Sequence, residues 1–171
     1  MSFLEILQFP DPSLRRRAER VDVIDEGIQR LVHDMAQTLY RAPGIGLAAP
    51  QIGVAKRVIL VDLSAGEREG ELISLVNPEI VCQEGEIRME EGCLSVPDLR
   101  EDVRRCRRIV VRGEDSEGRA VEVEGEDLLA VALQHEIDHL DGILFLDHLS
   151  QLKRSRYIAK LKRGAAPPGK S

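Results

Sequence analysis

The string His135-Glu136-Ile137-Asp138-His139 sets two imidazoles four residues apart, with a carboxylate beside the first. On an α-helix, positions i and i+4 share a face, so both rings can reach one metal ion while Glu136 stands next to them as a general base. The residues just before, Leu128-Leu-Ala-Val-Ala-Leu133, are apolar on every side of such a helix, which predicts burial on all faces. On a polar surface the same string would leave solvated rings and a glutamate paired with a lysine. Here it follows directly on an apolar run, and buried paired histidines need partners for their ring nitrogens. The helix is expected over residues 127 to 141, with Asp127 accepting from the free amides at its start and Gly142 ending it in the left-handed conformation.

Two histidines leave a catalytic metal one protein ligand short. Downstream, the position where an extended zinc-protease pattern needs histidine holds Phe145, and no glutamate follows Glu136; Asp147 and His148 stay open. Upstream, Glu90-Glu91-Gly92-Cys93-Leu94-Ser95 offers a cysteine just after a glycine, in a turn that leaves a strand. A third segment, Gly44-Ile45-Gly46-Leu-Ala-Ala49-Pro50-Gln51, matches a dinucleotide-binding fingerprint in its letters. That fingerprint must leave a strand and open a helix, whereas here it leaves a helix and runs into Pro50. Its small residues point instead to backbone passing close to another segment or a ligand.

These residues must be held by a chain of 171 residues, one domain by size. No apolar run is long enough to span a bilayer and no basic-then-apolar leader opens the chain, so a cytoplasmic location is expected, with neither membrane nor DNA as partner. Cys82, Cys93 and Cys106 cannot all pair, which favours thiols or a ligand over a disulfide framework. Cys82 reads as a small core residue of its strand, and Cys106 as part of the hairpin's sheet. Helical spacing of Ile28, Leu31, Val32, Met35 and Leu39 predicts an amphipathic helix over 25 to 41, with His33 on its solvated face. Strands are expected at Arg57–Leu63, Leu72–Val76, Glu79–Gln83, Val103–Arg112 and Arg119–Val123, the last two forming a hairpin about Glu114–Gly118. After Asp147 the chain has no acid but seven lysines and arginines, so residues 1 to 147 carry −13 of a net −6. A helix from about Ser150 to Lys162 is expected there, held by Leu149, Leu152, Ile158 and Leu161, with residues 164–171 as a disordered tail.

Together, Gly44-Ile-Gly-Leu-Ala-Ala-Pro-Gln51, Glu90-Glu-Gly-Cys-Leu-Ser95 and Gln134-His-Glu-Ile-Asp-His139 stand in the order and comparable spacing of a known set: the chain resembles the bacterial peptide deformylases. The likeness runs from the Pro10-Asp11 region to the basic C-terminal helix. It implies an α+β fold with antiparallel sheets packed around the central metal-binding helix, residues 1–163 forming one catalytic domain. It implies Cys93, His135 and His139 as ligands of one divalent metal, Fe(II) in the cell with Zn(II), Ni(II) or Co(II) as substitutes. It implies hydrolysis of the N-formyl group of formyl-methionyl nascent chains, with Glu136 moving the proton and Gln51 and the Leu94 backbone N–H donating to the oxyanion. In the same reading Gly44, Ile45 and Gly46 pair with the peptide; Ile45, Met89, Val131 and Ala132 receive the methionine; Arg100 contacts the peptide; and Glu91, with Arg105, orients a ligating histidine. The basic C-terminal helix is expected to meet ribosomal RNA or proteins near the exit tunnel. A zinc endopeptidase is the alternative enzyme, and a non-catalytic metalloprotein on the same scaffold the alternative class.

Overall fold

The computed structural model describes residues 4–164. Its first long helix, α1 (Glu26–Arg41), starts where the Asp25 carboxylate accepts the Ile28 N–H at 3.1 Å. It stops because Ala42, which precedes Pro43, is pushed out of the helical region into extended backbone. Ile28, Val32, Met35 and Leu39 are buried and His33 is exposed, as the spacing predicts.

A short strand, β1 (Gly46–Ala48), follows, then one 3-10 turn over Ala49–Ile52 that Gly53 leaves with φ 80°. The four residues of β2 (Val58–Val61) are all buried, as befits a strand covered on both faces. Strand β3 (Ile73–Glu84) is continuous where two strands were expected, because Asn77-Pro78 forms an irregularity rather than a break. Pro78 cannot donate to a ladder, and Asn77 has φ 53°. The Asn77 side chain ties this point of the strand to the N-terminal segment, accepting from Val21 N–H and donating to Val21 C=O, both at 2.8 Å.

Strands β4 (Ile87–Cys93) and β5 (Val96–Arg105) form a two-stranded sheet around the tight turn Leu94–Ser95. The expected single strand Val103–Arg112 is divided at Cys106 and Arg107, where the chain crosses to β6 (Arg108–Glu114) of the main sheet. Cys106 is therefore not in the sheet. Its N–H and C=O are taken by the Gln134 side chain at 3.0 and 2.8 Å, so it needs no strand partner. Cys82 lies in β3 and is half-buried rather than a core residue. The hairpin to β7 (Ala120–Glu126) is as expected, and the main sheet is antiparallel in the order β1-β2-β3-β6-β7.

Helix α2 (Leu128–Leu140) packs on β1, β2 and β7 and is buried from Ala130 to Ile137. Asp127 does not cap it: its φ is 51°, and its carboxylate faces Arg107 at 3.7 Å instead of the helix amides. Gly142 ends it with φ 74°, where an added Cβ would also strike the backbone of Arg15. After a 3-10 turn over Phe145–His148, Ser150 opens α3 (Gln151–Gly164) by accepting from the Lys153 N–H at 3.2 Å. Leu152, expected inward, is exposed; Tyr157 anchors the helix, burying its ring with Leu14, Val96 and Phe145 and donating to Pro97 C=O at 2.7 Å. Gly164 still belongs to α3, and the rest of the expected disordered tail lies outside the described residues. Among the described residues no helix is long and apolar enough to cross a membrane.

Candidate active site

Helix α2 carries His135 and His139 on one face, their rings 5.1 Å apart edge to face, and the β4–β5 turn brings Cys93 up to them. The donor atoms of Cys93, His135 and His139 all lie within 4.8 Å of one another, and Cys93 Sγ is 3.4 Å from His139 Nε2. The upstream cysteine is thus the third member of the cluster. Both downstream candidates are engaged elsewhere: Asp147 pairs with Arg15 and His148 with Asp138.

His135 is oriented from behind. Its Nδ1 donates to Glu91 Oε1 at 2.9 Å, which makes Nε2 the nitrogen available to the cluster. Glu91 in turn is held by both ends of the Arg105 guanidinium at 2.8 and 2.9 Å. Burial by itself would raise Glu91, but the bonds from Arg105 and His135 outweigh it and hold the carboxyl at about 2. The donor set fits a divalent metal: one thiol, two imidazoles of which one has its second nitrogen fixed by a carboxylate, and an enclosed setting.

Glu136 is 5% exposed, and its Oε1 has no protein hydrogen-bond partner. Burial pushes its carboxyl up to about 7, although the nearby His135 works the other way. Such an acid can both take and give a proton near neutral pH. The small residues of the first motif find their reason here. A Cβ on Gly46 would overlap the Glu136 carboxylate, and one on Gly44 would press within 3.1 Å of Leu94. Gln51, 1% exposed, accepts from Ala48 N–H at 2.9 Å and directs its Nε2 to Ser95 Oγ at 3.0 Å and Cys93 Sγ at 3.7 Å.

A cavity of about 550 Å³ opens over this cluster. Gly44, Ile45, Gly46, Gln51, Leu94, Arg100, Val131, Ala132, Cys93, His135 and Glu136 all line it, whereas His139 and Met89 are not in the lining. Arg100 reaches Glu90 at 2.7 Å on the rim. Sequence reasoning missed Pro43, Leu99 and Leu128 in the lining and Ser95 behind Gln51. Leu128 had a legible signal, since it stands one helical turn before Val131 and Ala132; Ser95 had none.

The sequence model of the polypeptide deformylase family matches residues 3–155. The chain is 51% identical over 162 residues to the peptide deformylase of Thermodesulfovibrio yellowstonii, covering 95% of this chain and 98% of that one. Its fold superposes on the crystal structure of a peptide deformylase from Legionella pneumophila with a TM-score of 0.88 at 47% identity, covering 98% and 100% of the two chains. A peptide deformylase from Synechococcus elongatus in complex with actinonin gives 0.88 at 37% identity, over 93% and 88%. Likeness over so nearly the whole of each chain places this one in the polypeptide deformylase family.

Proposed function

We propose the following division of labour in the removal of the N-formyl group from the formyl-methionine that opens a nascent polypeptide. Cys93, His135 and His139 hold one divalent metal, which when bound supplies a Lewis acid for the formyl carbonyl and for water. Glu136 takes a proton from the attacking water and returns it to the amine as the C–N bond breaks, so water and formamide become formate and a free N-terminus. Gln51 Nε2 and the Leu94 N–H donate to the oxyanion that forms between. The observation that carries this reading is Glu136 itself, buried against Gly46 with one oxygen lacking a protein partner.

Strand β1 is an edge of the main sheet, so Gly44 to Gly46 can pair with an extended peptide as an added strand. Ile45, Val131 and Ala132, joined by Leu128, receive the methionine side chain, and Arg100 meets the peptide at the rim. The mixed thiolate and imidazole set suits Fe(II) in the cell, with Zn(II), Ni(II) or Co(II) as substitutes. Residues 1–163 act as one catalytic domain in the cytoplasm. Arg156, Lys160, Lys162 and Arg163, all exposed on α3, offer a cationic face for ribosomal RNA near the exit tunnel. Formate release from formyl-Met-Ala-Ser by the metal-loaded protein, with no cleavage of casein, tests the activity. Casein cleavage without formate would overturn it.

A further inference from the structure

By residue type His148 is a candidate metal ligand, yet the fold sets it at the other end of a chain of polar contacts that leads back to the cluster. His135 Nδ1 donates to Glu91 Oε1, and Arg105 grips both oxygens of Glu91. The remaining nitrogen of that guanidinium, Nη1, donates to Asp138 Oδ2 at 2.6 Å. His148 Nε2 donates to the same oxygen at 2.8 Å and lies 3.4 Å from Arg105 Nη1, two donors converging on one carboxylate oxygen. Side-chain exposure rises along the series, from 5% at Glu91 and 4% at Arg105 to 22% at Asp138 and 36% at His148. The solvent end opens into a second cleft of about 350 Å³, lined also by Arg104, Cys106 and Gln134.

We propose that His148 is a positioning residue for deformylation: by holding the Asp138 carboxylate it fixes the Arg105 fork and, through Glu91, the orientation of His135. The inference rests on the reading of the site given above. Two observations carry it. Asp138 is exposed enough for water to compete for its oxygen, so without His148 its carboxylate can turn away and leave the guanidinium held by Glu91 alone. The turn Phe145–His148 also touches His135 directly, because the buried Phe145 ring stacks on the imidazole at 6.0 Å with 29° between planes. One short turn therefore braces the same ligand at its face and, through the relay, at its Nδ1.

The test uses the full chain loaded with Co(II), and His148→Ala, His148→Gln and Asp138→Asn variants. Kinetics on formyl-Met-Ala-Ser, the rate of metal loss to a chelator and the Co(II) absorption spectrum are read for each. A direct partner of a ligating histidine typically matters about 10- to 100-fold, so a residue further out should matter about 3- to 10-fold. In His148→Ala, kcat should fall by that factor with KM unchanged, metal loss should quicken by a similar factor, and the spectrum should shift. The amide of His148→Gln can still donate to Asp138 and should restore all three. In an Asp138→Asn background His148→Ala should add nothing, since it acts through that carboxylate. Unchanged metal loss and kcat in His148→Ala, a Gln variant as impaired as Ala, or additive effects with Asp138→Asn would each overturn the assignment. If Asp138→Asn holds no metal, Ala against Gln decides; if His148→Ala does not fold, His148→Asn, too short to reach Asp138, replaces it. Absence of formate from the wild type would sink the deformylase reading, while metal loss would still decide the role of His148.

Discussion

At the residue scale, the proposed mechanism gives Glu136 the proton and Cys93 a share of the metal. Glu136→Ala should keep stoichiometric metal and lower formate release by several orders of magnitude, because both proton transfers use this carboxylate. Near-normal turnover by the metal-loaded variant would refute its role. Cys93→Ala should lose the metal, as measured by elemental analysis, whereas Cys82→Ala and Cys106→Ala should keep it. Gly46 is a sharper probe of packing. A methyl group there enters the space of the Glu136 carboxylate, and displacing a reacting group by about 1 Å can lower rates roughly 100-fold. Gly46→Ala should therefore show reduced kcat with full metal content; unaltered kcat would mean that Glu136 has room to move.

At the element scale, the end of α2 is locked to the N-terminal segment. Arg15 donates to Gly142 C=O at 3.1 Å and to both Asp147 oxygens at 2.5 and 3.0 Å. Burial tends to raise Asp147, but the bonds from Arg15 and the Leu144 N–H hold it below the ordinary carboxylate range. A carboxylate depressed in the folded state contributes stability that is fully present above its unfolded pKa of about 4 and is lost as pH falls through the folded value. Arg15 is partly exposed, so solvent screening limits the pair to about 0.5–1 kcal/mol. Arg15→Gln should lower stability by that amount at pH 7, measured by urea unfolding, and the difference from wild type should shrink in acid and close once Asp147 is protonated in the folded state as well. A gap that persists unchanged in acid would point to packing of the Arg15 stem instead.

At the scale of the whole molecule, α3 carries both a buried anchor and an exposed cationic face. Its Tyr157 is 4% exposed in the cluster with Leu14, Val96 and Phe145, so truncation after Ser150 would strip a core as well as a charged face. Replacing the exposed Arg156, Lys160, Lys162 and Arg163 with Gln separates the two. That variant should keep its stability and its activity on a short formyl peptide, but bind ribosomes more weakly and with a flatter dependence on salt. Equal binding across a salt series would remove α3 as the docking element.

Much of the site was legible in the sequence because it is local. The i, i+4 histidines, the amphipathic face of α1, the left-handed Gly142 and the burial of α2 follow from spacing and side-chain chemistry within a few residues. The small residues of Gly44 to Gly46 announced a close approach, though not that its partner is Glu136, ninety positions away. What crosses between elements only the tertiary structure decided. Asp127 reads as a cap, but its left-handed backbone turns the carboxylate toward Arg107. Asn77-Pro78 reads as a turn, yet the strand continues through a register shift against β6, with the Asn77 side chain bonded to the backbone of Val21, 56 positions away. Which of Cys93, Asp147 and His148 would join the two histidines was likewise a matter of which loops the cores bring together, since a coordination cluster depends on distances in space and spacing along the chain does not determine them.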